Sequence, residues 1–165
     1  MERVAGTSSS SNAFQVPLGH GLETSPATSS EQRRLRLQCG PIQCQLPRVA
    51  DHDDYLDFFF THINPFHPCL NVNDVRKSSG IVYERAFGPN GRNENPVLSF
   101  QYASYLALMM SIYACVDLFR GTGGVDEYLW YRQSQELVGR RQVTAVGEDL
   151  TGIQILILQV SRQTL

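Results

Sequence analysis

LSFQYASYLALMMSIYACVDLF, residues 98–119, is the most apolar stretch of the chain and decides how the rest is read. Leu98, Tyr102, Tyr105, Met109, Ile112 and Val116 recur across it at helical spacing. Ser104, Ser111 and Cys115 form a strip of small residues at which another helix can approach closely. The stretch is long enough to cross a bilayer, but Ser99, Gln101, Ser104, Ser111 and Asp117 interrupt it. The expectation is a core helix over Leu98–Leu118, buried on most sides.

Downstream, Gly121–Gly124 (GTGG) ends that helix and opens another from Val125 to about Arg141. On this second helix Trp130, Tyr131, Ser134, Leu137 and Val138 share one arc, and Arg132, Gln133 and Glu136 the other. After a break at Thr144–Gly147, Asp149 or Thr151 is placed to cap a last helix. Leu150, Ile153, Leu156, Ile157 and Val160 give that helix a broad apolar face. Upstream, Asp51, Asp53 and Asp54 precede Tyr55, Leu56, Phe58 and Phe59, so acids occupy the first turn of a helix, where its dipole favours them. Pro65 stops that helix near Asn64. A short helix over Val72–Lys77 and a loop over Gly80–Pro96, turning at Gly88-Pro89-Asn90-Gly91, complete the pattern. With no strand or internal repeat read, the expected class is all-α: a helical array, incomplete because its broad apolar faces outnumber the partners available.

The chain has 165 residues and a net charge of −2, with 18% charged and 42% hydrophobic residues, which suits one modest domain. A pI near 6.1 supplies no general positive field for coating nucleic acid. Residues 1–45 are rich in Ser, Thr, Gly, Pro and Gln. Phe14, Val16, Leu18 and Leu22 follow no period there, so a disordered tail is expected, and a domain over residues 46–165. The start MERVAGTSSSS lacks the pattern of a secretory signal, so the four thiols are expected reduced and the protein intracellular. The tail's one charge cluster, RRLR at Arg33–Arg36, reads first as solvation and second as nuclear import or phosphate contact. Ser25-Pro26 has the form of a proline-directed phosphorylation site.

No constellation for chemistry assembles. His62, His67 and Cys69 lie close together around a proline-rich turn but lack the fourth ligand and paired half of a structural zinc site, and Cys39 and Cys44 have no adjacent histidine. The GTGG turn lacks a preceding strand and a following Lys-Ser/Thr, while Asp126 and Glu127 put negative charge where a phosphate would sit. Arg140-Arg141 is read as a favourable contact with a helix end. No nucleophile elbow or His-Glu-x-x-His is present. No catalytic, cofactor-binding, metal or DNA-binding residue is assigned, no cofactor is expected, and the chain is not read as an enzyme.

The stretch LPRVADHDDYLDFFFTHINPFHPCLNVNDV (46–75), then the apolar helix, then DEYLWYRQSQELVGRRQ (126–142) and DLTGIQILILQ (149–159), together resemble the opening of the fungal-specific transcription factor domain. That domain is the middle homology region of zinc-cluster regulators. In that family an LP dipeptide precedes a helix with a phenylalanine-rich end. A turn follows that matches Asn64, Pro65, Phe66, Pro68 and Leu70, then a long hydrophobic helix, an aromatic-plus-arginine helix like Trp130, Tyr131 and Arg132, and a glutamine like Gln154 among leucines. The resemblance implies a nuclear protein with a helical region that regulates RNA polymerase II transcription through protein contacts: protein partners, the remaining helices of a full-length domain, or a second copy. The family's DNA-reading module holds two zincs on six cysteines opening with CxxC. Cys39, Cys44, Cys69 and Cys115 make no such motif, so direct DNA contact is not expected. The family's helical region continues well past the point matching Leu165, so a fragment or truncated gene model is expected. The alternative is a self-sufficient small helical ligand-binding or adaptor protein, or a remnant without function. The residues expected at the core are Phe58, Phe59, Phe66, Leu106, Met109, Trp130, Tyr131, Ile153 and Leu156.

Overall fold

A computed structural model describes residues 34–66, 68–88, 96–122, 124–143 and 150–164. The order is β1 (Arg34–Cys39), β2 (Ile42–Pro47), α1 (Val49–Phe58) running into a π-helical turn (Phe59–Ile63), and α2 (Val72–Phe87). Then come β3 (Val97–Leu98), a 3-10 turn (Phe100–Tyr102), α3 (Ala103–Phe119), α4 (Val125–Val143) and α5 (Leu150–Thr164). The chain is mostly helical, but not purely α: the three strands form one sheet in the order β2-β1-β3.

The sheet corrects the expected all-α class and shortens the expected tail. Residues 34–45, expected to be disordered, instead form most of an antiparallel hairpin; residues 1–33, with the Ser25-Pro26 dipeptide, lie outside the described residues. The alternation that marks a half-buried strand is present in RLRLQC and IQCQLP: Leu37, Cys39, Ile42, Cys44 and Leu46 are buried, while the arginines and glutamines between them face the other way. Gly40 takes a positive φ of 55° in the first of two loop positions, where type II′ hairpin turns call for glycine. A Cβ there would sit 2.9 Å from the Phe100 ring. Gly40→Ala is therefore expected to cost about 1–3 kcal/mol, from backbone strain and ring displacement together. A urea midpoint unchanged from the parent would show that the turn is not held as described.

Helix α1 starts one residue after Pro47-Arg48, with Asp51 in its first turn, and its π-helical extension ends at Ile63, just ahead of Pro65. Helix α2 is longer than the expected Val72–Lys77. Asn71 caps it, its side chain accepting from the N–H groups of Asn73 (2.9 Å) and Asp74 (3.3 Å), and Val75, Val82, Tyr83, Ala86 and Phe87 carry a buried face on to Gly88. Ser78-Ser79-Gly80 looks like a breaker in the sequence, but Ser79 bonds back to the Arg76 carbonyl at 2.9 Å, and the helix continues through it. The first part of the expected 80–96 loop is thus helical, and residues 89–95 lie outside the described residues.

Helix α3 is the core, buried on nearly its whole circumference. Its segment Phe100–Phe119 is long and apolar enough to span a membrane, but 78% of its most apolar window is covered by the rest of the protein, which leaves little surface for lipid. Helices α4 and α5 both pack on it. The small-residue strip permits this: Ser111 Oγ lies 2.8 Å from Ser134 Oγ of α4, and the Cys115 thiol reaches the Leu158 carbonyl of α5 at 3.8 Å.

Three residues expected in the core are outside it. Phe66 is 75% exposed in the turn after the π-helix, and Ile153 and Leu156 are 51% and 49% exposed. On α5 it is Ile155 and Leu158 that are buried against α3, because the register set by Cys115 and by Gln159, whose amide donates to Ser134 Oγ at 3.2 Å, turns the other face outward. Phe59, Leu106, Met109 and Trp130 are buried as expected, and Phe58 and Tyr131 pack at the core's margin.

Candidate functional site

Three features outside the plain apolar core could carry function: a polar cluster between the helices, a groove beside the sheet, and the outer face of α5.

The polar cluster centres on Asp117 of α3. Its carboxylate accepts from the Tyr55 hydroxyl of α1 (2.9 and 3.1 Å), from Trp130 Nε1 of α4 (3.0 Å) and from Thr122 Oγ1 (3.5 Å). Burial raises the Asp117 pKa, and those donors, with Arg120 nearby, oppose the rise. One turn earlier, His52 Nδ1 lies 2.8 Å from the Tyr113 hydroxyl, and the His52 ring stacks at 4.8 Å on Tyr83, whose own hydroxyl donates to the Pro47 carbonyl at 2.7 Å. Burial holds the His52 imidazole neutral, with its pKa lowered to about 4, and pushes the Tyr55, Tyr83 and Tyr113 phenols above their ordinary range. His52, Tyr83, Tyr113, Asp117 and Trp130 are buried, Tyr55 is half-buried and Thr122 lies at the exposed margin, and each is bonded to another element or to the adjoining turn. The cluster fixes α1, α2, α3 and α4 relative to one another and offers no open position for a reacting atom.

The groove lies between the hairpin and α4. It has a volume of about 370 Å³ and is lined by Arg36, Gln43, Gln45, Leu129, Arg132, Gln133 and Glu136. Gln133, expected on the outer arc of its helix, is buried instead: its Oε1 accepts from the Gln45 N–H at 2.6 Å and ties α4 to β2. The arginines of the RRLR run also separate. Arg34 is half-buried, paired with Asp126 and stacked 5.5 Å from the Trp130 ring centroid, so it is part of the packing and not of a solvated tail. Arg36 projects into the groove, and Arg33 lies outside the described residues.

The outer face of α5 presents Ile153, Leu156, Ile157 and Val160, all at least 41% exposed, as a continuous apolar stripe.

The remaining sequence candidates are scattered. His62 stacks on Phe58 with centroids 4.6 Å apart, Cys69 is half-buried in the turn before α2, and His67 lies outside the described residues. Cys39 and Cys44 are buried on the hairpin; burial pushes their thiols up to about 11 and about 12, so they stay protonated and poorly nucleophilic. No group of three His, Cys, Asp or Glu side chains converges among the described residues. In the GTGG turn, Gly121 takes φ 66° to close α3, while Asp126 is engaged by Arg34 and Glu127 is buried. Arg140, in the last turn of α4, pairs with Glu136 one turn back at 3.5 Å. Neither family models, nor curated proteins, nor solved structures give a match to this chain.

Proposed function

We propose that this chain is a non-enzymatic helical regulatory segment of the fungal-specific transcription factor type, acting in the nucleus on RNA polymerase II transcription through protein contacts and without a DNA-reading module of its own. The observation that carries the reading is the α5 stripe. A helix already seated on α3 through Ile155 and Leu158 turns four further large apolar side chains to water. Covering the exposed half of such a side chain with a partner is favourable by about 1 kcal/mol. A stripe of this kind is how a helical region adds further helices or binds another protein. The resemblance of residues 46–165 to the middle homology region names the class of protein in which that contact would operate.

The test is the triple variant Ile153→Glu, Leu156→Glu, Val160→Glu, in the chain tethered to a DNA-binding module in a fungal reporter strain. Since the three side chains are already half-exposed, the melting temperature of the variant stays within a few degrees of the parent, while reporter regulation falls to the level of the module alone. Unchanged regulation with intact folding would refute contacts through α5. The enclosed core around α3 favours a second reading, a small helical adaptor that stands alone. Its signature is a single cooperative melt with a steep denaturant slope, together with no effect of the chain on the reporter.

A further inference from the structure

Among the described residues the β2 side of the hairpin pairs with no further strand, and the groove beside α4 opens along that edge. Gln38 and Gly40 of β1 donate their N–H groups to Pro96 and Leu98, toward β3. The alternate residues Leu35, Leu37 and Cys39 therefore bond to their partners Leu46, Cys44 and Ile42 on β2. Gln43, Gln45 and Pro47 are left with their backbone groups turned away from the sheet. Gln133 takes the Gln45 N–H and the Tyr83 hydroxyl takes the Pro47 carbonyl. The N–H and carbonyl of Gln43 have no partner among the described residues, so the edge is plugged at one end and open at the other.

Two cations face this opening. Arg36 and Arg132 are exposed, line the same groove, and neither forms an ion pair among the described residues. The groove's acid, Glu136, is engaged by Arg140. Leu129 supplies an apolar wall, and the volume is that of a small ligand site. Unpaired guanidiniums beside an unpaired strand edge match one kind of occupant in both charge and backbone pattern.

We propose that this groove binds an extended acidic peptide segment, which pairs with the β2 edge at Gln43 and sets a carboxylate side chain between Arg36 and Arg132. Pairing is limited to the open end of the edge, so most of the affinity is electrostatic and falls as salt rises. The proposal does not depend on the α5 stripe.

The test uses fluorescence anisotropy of a labelled five-residue peptide, Thr-Glu-Val-Glu-Thr, against the whole chain in low salt, with Thr-Lys-Val-Lys-Thr as control. The acidic peptide is expected to bind with a Kd of tens of micromolar, the basic one not at all, and Arg36→Gln or Arg132→Gln to weaken binding about tenfold each, as expected for a lost charge-assisted bond. Neither arginine has an ion pair among the described residues, so both variants should keep the parent melting temperature. Gln43→Pro removes the outward N–H without touching the β1–β2 ladder and should weaken binding similarly. A peptide N-methylated at its central valine makes the same test on the unaltered protein. Failure of the acidic peptide to bind, or full binding by both arginine variants, would overturn the proposal. So would displacement of the peptide by free glutarate at equal concentration with no effect of Gln43→Pro or N-methylation, which would mark a small-anion site. The α5 triple glutamate variant should bind the peptide normally, which separates failure here from failure of the regulatory reading.

Discussion

Trp130→Ala lowers the unfolding free energy by about 3–5 kcal/mol, the range for deleting a buried aromatic side chain. Trp130 is the single tryptophan, and three unlike contacts meet on it. Its Nε1 donates to Asp117, its ring meets Tyr113 edge-on with centroids 5.6 Å apart, and the Arg34 guanidinium lies over it. Truncation opens a cavity between α3 and α4, removes one of the donors that solvate a buried carboxylate, and strips Arg34 of its stacking surface. Against a total stability of about 5–15 kcal/mol, that is a large fraction of what holds the chain folded. Trp130→Phe fills most of the space but lacks the N–H, and is expected to cost about 1–3 kcal/mol. The pair separates cavity from hydrogen bond. Urea titrations followed by far-UV circular dichroism give the answer, since the variants lose the fluorophore. A cost below 1 kcal/mol for the alanine variant would mean that the Asp117 cluster does not hold α4 in place.

The dominance of α3 was legible because a run apolar on all sides has few alternatives to burial. Its small residues, Ser111 and Cys115, marked where α4 and α5 approach, for the same steric reason. The hairpin is hard to read from sequence although RLRLQC and IQCQLP alternate cleanly. Each strand has only six residues, and the apolar positions are separated by arginines and glutamines at the end of a Ser- and Gln-rich stretch, so composition outweighed period. Arg34 shows a deeper limit: its burial depends on Trp130 and Asp126, which are distant in sequence, and no local pattern carries that information. On α5 the difficulty is different. Ile153, Ile155, Leu156, Ile157, Leu158 and Val160 cover nearly the whole circumference, so the sequence offers two faces and only the contacts with Cys115 and Ser134 select one. The groove has no local signature for both reasons together, since Arg36 sits in a tail-like composition and Arg132 on a polar helix arc, and only the hairpin brings them to one wall.

Acidification from pH 7 toward pH 4 destabilises the protein through His52. Burial is the largest cause of its lowered pKa, with Asp53 opposing and Arg76 assisting, and the folded value is about 4 against 6.5 for the free side chain. The folded state therefore keeps His52 neutral while the unfolded chain takes up a proton, and stability falls as pH drops below about 6.5, levelling near 4. At 1.36 kcal/mol per pH unit the full displacement is worth about 3 kcal/mol. Asp117 works in the opposite direction. Its raised pKa means that the folded state binds a proton more readily than the unfolded chain, so acid stabilises that site in the window above its ordinary 3.8. The two effects oppose each other wherever their windows overlap, and the difference between the parent and a variant that lacks the imidazole isolates the His52 slope. His52→Gln cannot charge and retains a polar group facing Tyr113. It is expected to be less stable than the parent at pH 7, from lost packing on Tyr83, and to flatten the dependence between pH 7 and pH 5. Urea midpoints at half-unit steps of pH decide it: a parent curve that is level over that range, or a variant curve as steep as the parent's, would place the acid sensitivity elsewhere.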